Sequence, residues 1–134
     1  MNAGKTIVKD GLFYTDEHEW ARIEGDIAVI GITDHAQKEL RNVVFVELPE
    51  IGDKLTFRKD FGYVESTKAV NSILSPISGE VIEVNNKLED NPELVNSDPY
   101  GEGWMVKARL TNKGELKQLL DAKGYSELME KLAR

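Results

Sequence analysis

Short apolar segments bounded by turn residues follow one another from residue 27 to residue 110. Residues 27–32 read Ile-Ala-Val-Ile-Gly-Ile between Gly25-Asp26 and Thr33-Asp34, a length and composition that predict a buried strand. Apolar and polar residues also alternate over 104–110 with the period of two that is typical of a strand. Further strands are predicted at 43–48, 53–58, 61–66, 69–74 and 80–84. This number of short strands favours a small sandwich or barrel.

Helical signals are confined to one short internal segment and to the C-terminus. Thr33 or Asp34 can cap a helix that continues to about Leu40. After residue 111 the apolar period changes, and Asn112 with Glu115 resembles an N-cap pair. The stripe Leu116, Leu119 and Leu120 then predicts a helix that ends at Gly124, and Ser126 is predicted to begin a second helix with Leu128, Met129 and Leu132. We expect these helices to cover the open side of the sheets, with their lysines solvated.

A weak repeat links two turn-and-strand units. Pro49-Glu-Ile-Gly52-Asp53 precedes Leu55 and Phe57, and Pro76-Ile-Ser-Gly79-Glu80 precedes Ile82 and Val84. Coincidence stays open, because such units are common. A true repeat would predict two similar β units packed face to face about an approximate two-fold axis.

Composition narrows the possible functions. The 134 residues include 24 Asp+Glu against 17 Lys+Arg, a formal charge of −7, and no cysteine. The absence of cysteine excludes disulfides, zinc–thiolate sites and a thiol nucleophile of the protein's own. An acidic chain does not favour binding to nucleic acid or to an anionic membrane. With no targeting segment and no apolar run near the ~20 residues of a membrane span, we expect a cytoplasmic protein, although a processed organellar form stays open.

Residues 61–74 are predicted to form a hairpin with Glu65-Ser66-Thr67-Lys68-Ala69 at its tip. A lysine presented by a short turn suits acylation by another enzyme, since its amine is exposed and the turn can be recognised. An exposed lysine at a hairpin tip is nevertheless usually only solvated. The residues alone therefore leave the role of Lys68 open.

Six stretches, in order, resemble the lipoyl-carrying H proteins of the glycine cleavage system, and together they span about residues 12–130. They are His18-Glu-Trp20, Gly31–Gln37, Val44–Glu50, Glu65–Ala69, Ser75–Val81 and Asn96–Trp104. The resemblance implies a mainly β, barrel-sandwich hybrid of two small antiparallel sheets, of the lipoyl- or biotinyl-carrier type, with a short internal helix and C-terminal helices. It implies one lipoyl-carrier domain over residues 1–134, with a core at about 12–111 and a helical cover at 112–134.

By position, the resemblance makes Lys68 the lipoyl attachment site and Glu65, Ser66, Thr67 and Ala69 its recognition turn. Biotin carriers have Met on both sides of the lysine, so Thr67 and Ala69 argue against biotin. A lipoylating enzyme would attach lipoate. The arm would then carry an aminomethyl group from glycine decarboxylase (P protein) to aminomethyltransferase (T protein), and dihydrolipoamide dehydrogenase (L protein) would reoxidise it. The protein would be a carrier and not an enzyme.

Family members fold the loaded arm into a cleft on their own surface. The acid of the His-Glu-Trp motif, Glu19, is the candidate that would hold the cationic amine there. Ser72 differs from the Asp that relatives often have four residues after the lysine, which leaves the contribution of that acid in doubt. His18 and His35 do not form a His-Glu-x-x-His motif, and we expect structural roles for both and no metal site.

Three other functions stay open beside the carrier. The same lysine would serve a relay that donates lipoyl or octanoyl groups to other lipoate-dependent enzymes. A small hydrolase using Asp, Glu and His lacks a recognisable nucleophile motif. A lipoyl domain of a 2-oxoacid dehydrogenase would need a Pro/Ala-rich linker and a catalytic domain, which the chain lacks.

Overall fold

The structure is a computed structural model that describes residues 6–133. The nine strands of these residues are β1 (Phe13–Tyr14), β2 (Glu19–Glu24), β3 (Ile27–Ile32), β4 (Val43–Glu47), β5 (Lys54–Leu55), β6 (Asp60–Ser66), β7 (Val70–Leu74), β8 (Gly79–Val84) and β9 (Val106–Leu110). The helices are α1 (Asp34–Leu40), α2 (Lys87–Asp90), α3 (Leu94–Ser97), a 3₁₀ helix (Lys113–Gln118) and α4 (Ala122–Leu132). None of these helices is long and apolar enough to cross a membrane.

The strands form two antiparallel sheets, as the family resemblance implies. The larger sheet has the order β1-β2-β3-β9-β8-β5, and the smaller has the order β4-β6-β7. Five predicted strands, those at 27–32, 43–48, 61–66, 69–74 and 80–84, lie within a residue of their observed bounds. The strand predicted at 53–58 is wrong beyond Leu55, because Arg58 adopts a left-handed turn conformation with φ 65°. Strands β1 and β2 and helices α2 and α3 are not among the predicted elements.

Strand β3 is buried on both faces and separates two apolar cores. Ala28 and Ile30 pack in the core that the two sheets share, where Val64 of β6 also lies. Val29 points the other way, into a second core that contains Trp20 and Tyr125. A strand covered on both faces has no polar side to present to water, which explains why Ile27–Ile32 is an uninterrupted apolar run.

The C-terminal segment covers the second core, but its helices differ from the prediction. Gly124 does not end a helix; it lies inside α4, whose N-cap is Asp121. The Asp121 carboxylate accepts a 2.8 Å hydrogen bond from Gly124 N–H, so the helix begins four residues before Ser126. Asn112 caps the 3₁₀ helix as predicted. Glu115 is not its capping partner, because its carboxylate accepts hydrogen bonds from the N–H and hydroxyl of Ser78.

The two copies of the repeat lie side by side and not face to face. Strands β5 and β8 are antiparallel neighbours in the larger sheet, with Lys54 opposite Glu80 and Leu55 opposite Gly79. Gly52 N–H also donates to the Val81 carbonyl at 2.8 Å. Antiparallel pairing relates the two units by a local two-fold axis, but within one sheet.

Gly31 is required by the close approach of Trp20. A Cβ atom at position 31 would lie 2.8 Å from three atoms of the indole ring. The ring is fully buried, and its Nε1–H donates to the Pro99 carbonyl at 3.1 Å, so it has little freedom to move. We expect Gly31→Ala to lower the free energy of unfolding by about 1–3 kcal/mol, as overpacking does. Urea denaturation followed by tryptophan fluorescence measures the change.

Gly124→Ala is the matched control, since position 124 lies in the helical turn of α4 and alanine favours helices. Its free energy of unfolding should stay within about 1 kcal/mol of the wild-type value. Equal stability of Gly31→Ala and the wild type would contradict the packing argument.

Candidate functional site

Lys68 lies at the tip of a tight hairpin, as predicted. Strands β6 and β7 pair along their length, with Asp60 opposite Leu74 at one end and Glu65 opposite Val70 at the other. Residues 67–69 connect the two strands. The backbone N–H of Ser66 donates to the Ala69 carbonyl at 2.8 Å and closes the turn. The lysine side chain is exposed, while its backbone is held in place by the two strands.

The hydroxyl of Ser66 determines the shape of this turn. It accepts hydrogen bonds from the N–H groups of Lys68 (3.1 Å) and Ala69 (3.0 Å), and it donates to the Ala69 carbonyl at 3.2 Å. Ser66 is only 7% exposed. Of the five residues predicted as attachment site and recognition turn, Glu65, Thr67 and Lys68 are exposed and Ala69 is half-buried. Ser66 is buried and holds the shape of the turn through its hydroxyl.

A network that sequence reasoning missed supports the turn from below. Thr67 N–H donates to the Asn42 carbonyl at 3.0 Å, in the link between α1 and β4. Asn96 holds that link, because its side chain accepts from Val43 N–H at 2.8 Å and donates to the Arg41 carbonyl at 2.6 Å. Asn96 belongs to α3, a single helical turn of four residues. No sequence pattern connects it to a turn about thirty residues away.

A cleft of about 170 Å³ lies beside the lysine. Its lining comes from β2 and the turn before it, from the end of β3, from α1, and from the strands of the smaller sheet: Glu17, His18, Glu19, Ile32, His35, Ala36, Glu39, Leu40, Val64, Asn71, Ser72 and Ile73. The Nζ of Lys68 donates to the Glu39 carbonyl at 3.3 Å, so the end of the lysine side chain lies at the rim. The structure therefore brings Lys68, Glu19 and Ser72 to one site.

Glu19 lies at the base of this cleft and connects the two sheets. It begins β2, and its Oε2 accepts from the N–H of Leu74 at the end of β7, at 3.2 Å. Its Oε1 accepts from the Thr15 hydroxyl at 2.5 Å. Only 3% of the surface of Glu19 is exposed. The resulting desolvation raises the pKa of Glu19 to about 7, although both hydrogen bonds oppose that change.

His18 and His35 stand together at the same cleft. Their ring centroids are 4.3 Å apart, and His18 Nδ1 is 2.8 Å from the hydroxyl of Tyr125 on α4. That hydroxyl also hydrogen-bonds to Thr33 Oγ1 at 2.8 Å. Burial, with the neighbouring His35, lowers the pKa of His18 to about 4, so the ring is neutral at pH 7. Within residues 6–133 no three His, Asp or Glu side chains are grouped as metal ligands.

The cleft combines an apolar wall with acidic groups. Ile32, Leu40 and Val64 are buried, whereas Glu17 and Glu39 are exposed at the rim. Such a lining can take an apolar chain that ends in a cation, because the chain packs on the wall and the carboxylates attract the charge. An arm attached to Lys68 begins at this rim.

Stability should depend on pH through Glu19. Between pH 4.5 and about 7 the unfolded carboxyl is ionised while the folded one keeps its proton, so this group destabilises the fold as the pH rises. In the wild type this group should lower the free energy of unfolding by at most about 3 kcal/mol across that range, and Glu19→Gln should abolish that decrease. Urea denaturation at a series of pH values measures the slope.

The neighbouring His18 acts in the opposite direction, because its lowered pKa favours the fold as the pH rises from about 4 to 6.5. The comparison is therefore between the wild type and Glu19→Gln, with His18 present in both. Identical slopes for the two proteins would show that Glu19 titrates normally.

Comparisons with known proteins agree with this geometry. A family model described as Glycine cleavage H-protein matches residues 12–132. A glycine cleavage system H protein of Rubrobacter xylanophilus is 54% identical over 123 residues, covering 92% of this chain and 95% of the relative. Glycine cleavage system H protein 3, mitochondrial, of Arabidopsis thaliana is also 54% identical over 123 residues, covering 92% of this chain and 74% of the relative.

A solved structure extends the likeness to the fold. The crystal structure of a glycine cleavage system H protein from Mycobacterium marinum matches with a TM-score of 0.83 at 37% identity, covering 95% of this chain and 100% of that one. The predicted barrel-sandwich arrangement of two antiparallel sheets with a C-terminal helix is thereby confirmed. From the family model, the relatives and the fold together, the chain belongs to the glycine cleavage H-protein family.

Proposed function

We propose that this protein is the lipoyl carrier of a glycine cleavage system, with lipoate attached to Lys68. The observation that carries the proposal is the exposed amine of Lys68 on a turn held by Ser66, at the rim of a cleft. An acylating enzyme needs a reachable amine and a turn of constant shape, and this hairpin has both. Membership of the family supports the same role.

The residues of the chain fit the group. Lys68 would hold it through an amide, Glu65 and Thr67 would be read on the exposed side of the turn, and the cleft would shelter the arm from water. When bound, lipoate supplies a disulfide that opens to carry an aminomethyl group and closes again on oxidation. The protein itself positions the arm and catalyses nothing.

The partners that follow are a lipoylating enzyme, glycine decarboxylase, aminomethyltransferase and dihydrolipoamide dehydrogenase. A tethered arm reaches effective concentrations of order mM at each partner's site, which favours transfer without tight binding. A cytoplasmic location belongs to the same proposal, although one relative is named mitochondrial. A relay that passes lipoyl or octanoyl groups to other enzymes needs only the same lysine and is the second candidate.

Enzymatic lipoylation tests the attachment site. The protein expressed without lipoate should gain one lipoyl mass increment after treatment with a lipoate ligase, lipoate and ATP, and peptide mapping should place it on Lys68. Lys68→Arg should gain none, because a guanidinium is a poor nucleophile at neutral pH. Intact-mass spectrometry measures both.

Each of the other lysines provides a control for specificity, since many of them are equally exposed. Modification of another lysine in the wild type, or of Lys68→Arg to the same extent, would overturn the proposal. Acyl transfer from the loaded protein to a second lipoyl domain would favour the relay.

We propose further that Glu19 holds the cationic amine of the loaded arm. Its carboxylate lines the cleft, and an ionised carboxylate has about four acceptor positions, of which Thr15 and Leu74 occupy two. An ammonium beside it should lower its pKa from about 7. The exposed Glu17 and Glu39 line the same cleft where Ser72 supplies no charge.

Carbon-detected NMR titration of the Glu19 carboxyl tests this directly. Its pKa should be lower in the amine-loaded protein than in the lipoylated protein without cargo. The cargo of Glu19→Gln should also be released to water at least several-fold faster. Glu89→Gln, which changes an exposed acid on α2 outside the cleft, should be close to wild type. An unchanged Glu19 titration with unchanged release in Glu19→Gln would remove Glu19 from this role.

A further inference from the structure

Large apolar side chains are exposed on β7, which follows the lysine turn, and on β4, which pairs with β6. Val44 and Phe45 on β4 are 48% and 42% exposed, and Val70, the first residue of β7, is 62% exposed. Single exposed apolar residues are common on protein surfaces. Three that border one proposed modification site form a patch, and apolar patches of this kind mark interaction surfaces.

A β-bulge directs two of these side chains outward. The register between β4 and β6 shifts between Val43 and Phe45, so that both Val44 and Phe45 face solvent while Val43 and Val46 are buried. Regular alternation would have turned one of the two inward. Bulges are frequent next to functional sites because they redirect side chains in this way.

The exposed residues continue across the sheet in one row. Phe45 is opposite Glu65, and Glu65 is opposite Val70. Tyr63 lies next to the row, with its ring centroid 5.9 Å from that of Phe45. We call Val44, Phe45, Tyr63, Glu65 and Val70 the turn-side patch.

The charge around the turn-side patch indicates the chemistry of its partner. Strands β4, β6 and β7 contain three acidic residues and no Lys, Arg or His. A complementary surface therefore has an apolar pocket for Phe45 and Val70 and a basic side chain opposite Glu65.

We propose that the turn-side patch is the docking surface for the enzyme that acylates Lys68; this rests on the proposed function. That enzyme must bring its active site to the ε-amine itself, so it has to contact the strands that border the turn. The enzymes that use the finished arm react with its far end, so their chemistry does not require contact with these strands. The turn-side patch is thus placed for the step of attachment.

The step itself is an acyl transfer. The enzyme activates the carboxylate of lipoate with ATP, giving a lipoyl adenylate and pyrophosphate. The Lys68 ammonium loses a proton, its amine attacks the acyl carbon, the amide bond forms and AMP leaves. Docking at the turn-side patch contributes to binding and not to these bond changes, so it should affect KM more than kcat.

Steady-state lipoylation of Phe45→Ser and Val70→Ser by a purified lipoate ligase, with lipoate and ATP, tests the proposal. Each variant should show a kcat/KM about tenfold lower, mainly through KM, as loss of an interface anchor predicts. Ile51→Ser is the matched control, because Ile51 is 67% exposed but lies in the turn before β5. It should be modified at the wild-type rate.

A small amine-reactive ester separates docking from damage to the fold. It should acylate Lys68 equally fast in the wild type and in both variants, because it needs no docking surface. A wild-type kcat/KM in both variants would overturn the docking proposal but not the proposed function. The same holds if the variants are lipoylated at the wild-type rate and instead lose self-association or the ability of the arm to react with its partner enzymes. A wild-type protein that is never modified at Lys68 would overturn the proposed function as well.

Discussion

The hydroxyl of Ser66 imposes the constraint on which the site depends: the side chain of Lys68 is exposed, while its backbone is restrained. One buried oxygen accepts from two consecutive N–H groups and donates to the carbonyl that closes the turn. An unrestrained loop would lose conformational entropy each time an enzyme bound it. Thr67 extends the restraint to the link that Asn96 holds, so the turn and its support form one unit.

Two residues that line the cleft beside the turn also hold parts of the fold together. Glu19 joins β2 to β7 while also lining the cleft, and His18 joins the cleft to α4 through Tyr125. Burial raises the pKa of Glu19 to about 7 and lowers that of His18 to about 4, so at pH 7 the imidazole is neutral and the acid is only partly ionised. The interior of the site therefore carries less charge than its rim, where the exposed carboxylates of Glu17 and Glu39 lie.

Much of this arrangement could be predicted from the sequence, and the failures have physical reasons. Strand β3 is recognisable because burial on both faces requires an uninterrupted apolar run. The hairpin is recognisable because its polar tip lies between two strand-like segments. Gly124 was misread because an unfavourable residue inside α4 is tolerated where Asp121 caps the helix and Tyr125 is buried beneath it. The roles of Asn96 and Ser66 depend on partners that only the folded chain brings near, and Glu19 was identified as a site residue by family position, without its burial.

The order of the smaller sheet has a consequence for solubility. Strand β7 is an edge strand, and among residues 6–133 no strand pairs with its outer side. Unprotected edges pair readily with other chains and promote aggregation. The cleft runs along this edge at Asn71, Ser72 and Ile73, and the bond from Leu74 to Glu19 covers its end. An arm lying in the cleft would cover the remainder, so the cargo and the carrier would protect one another.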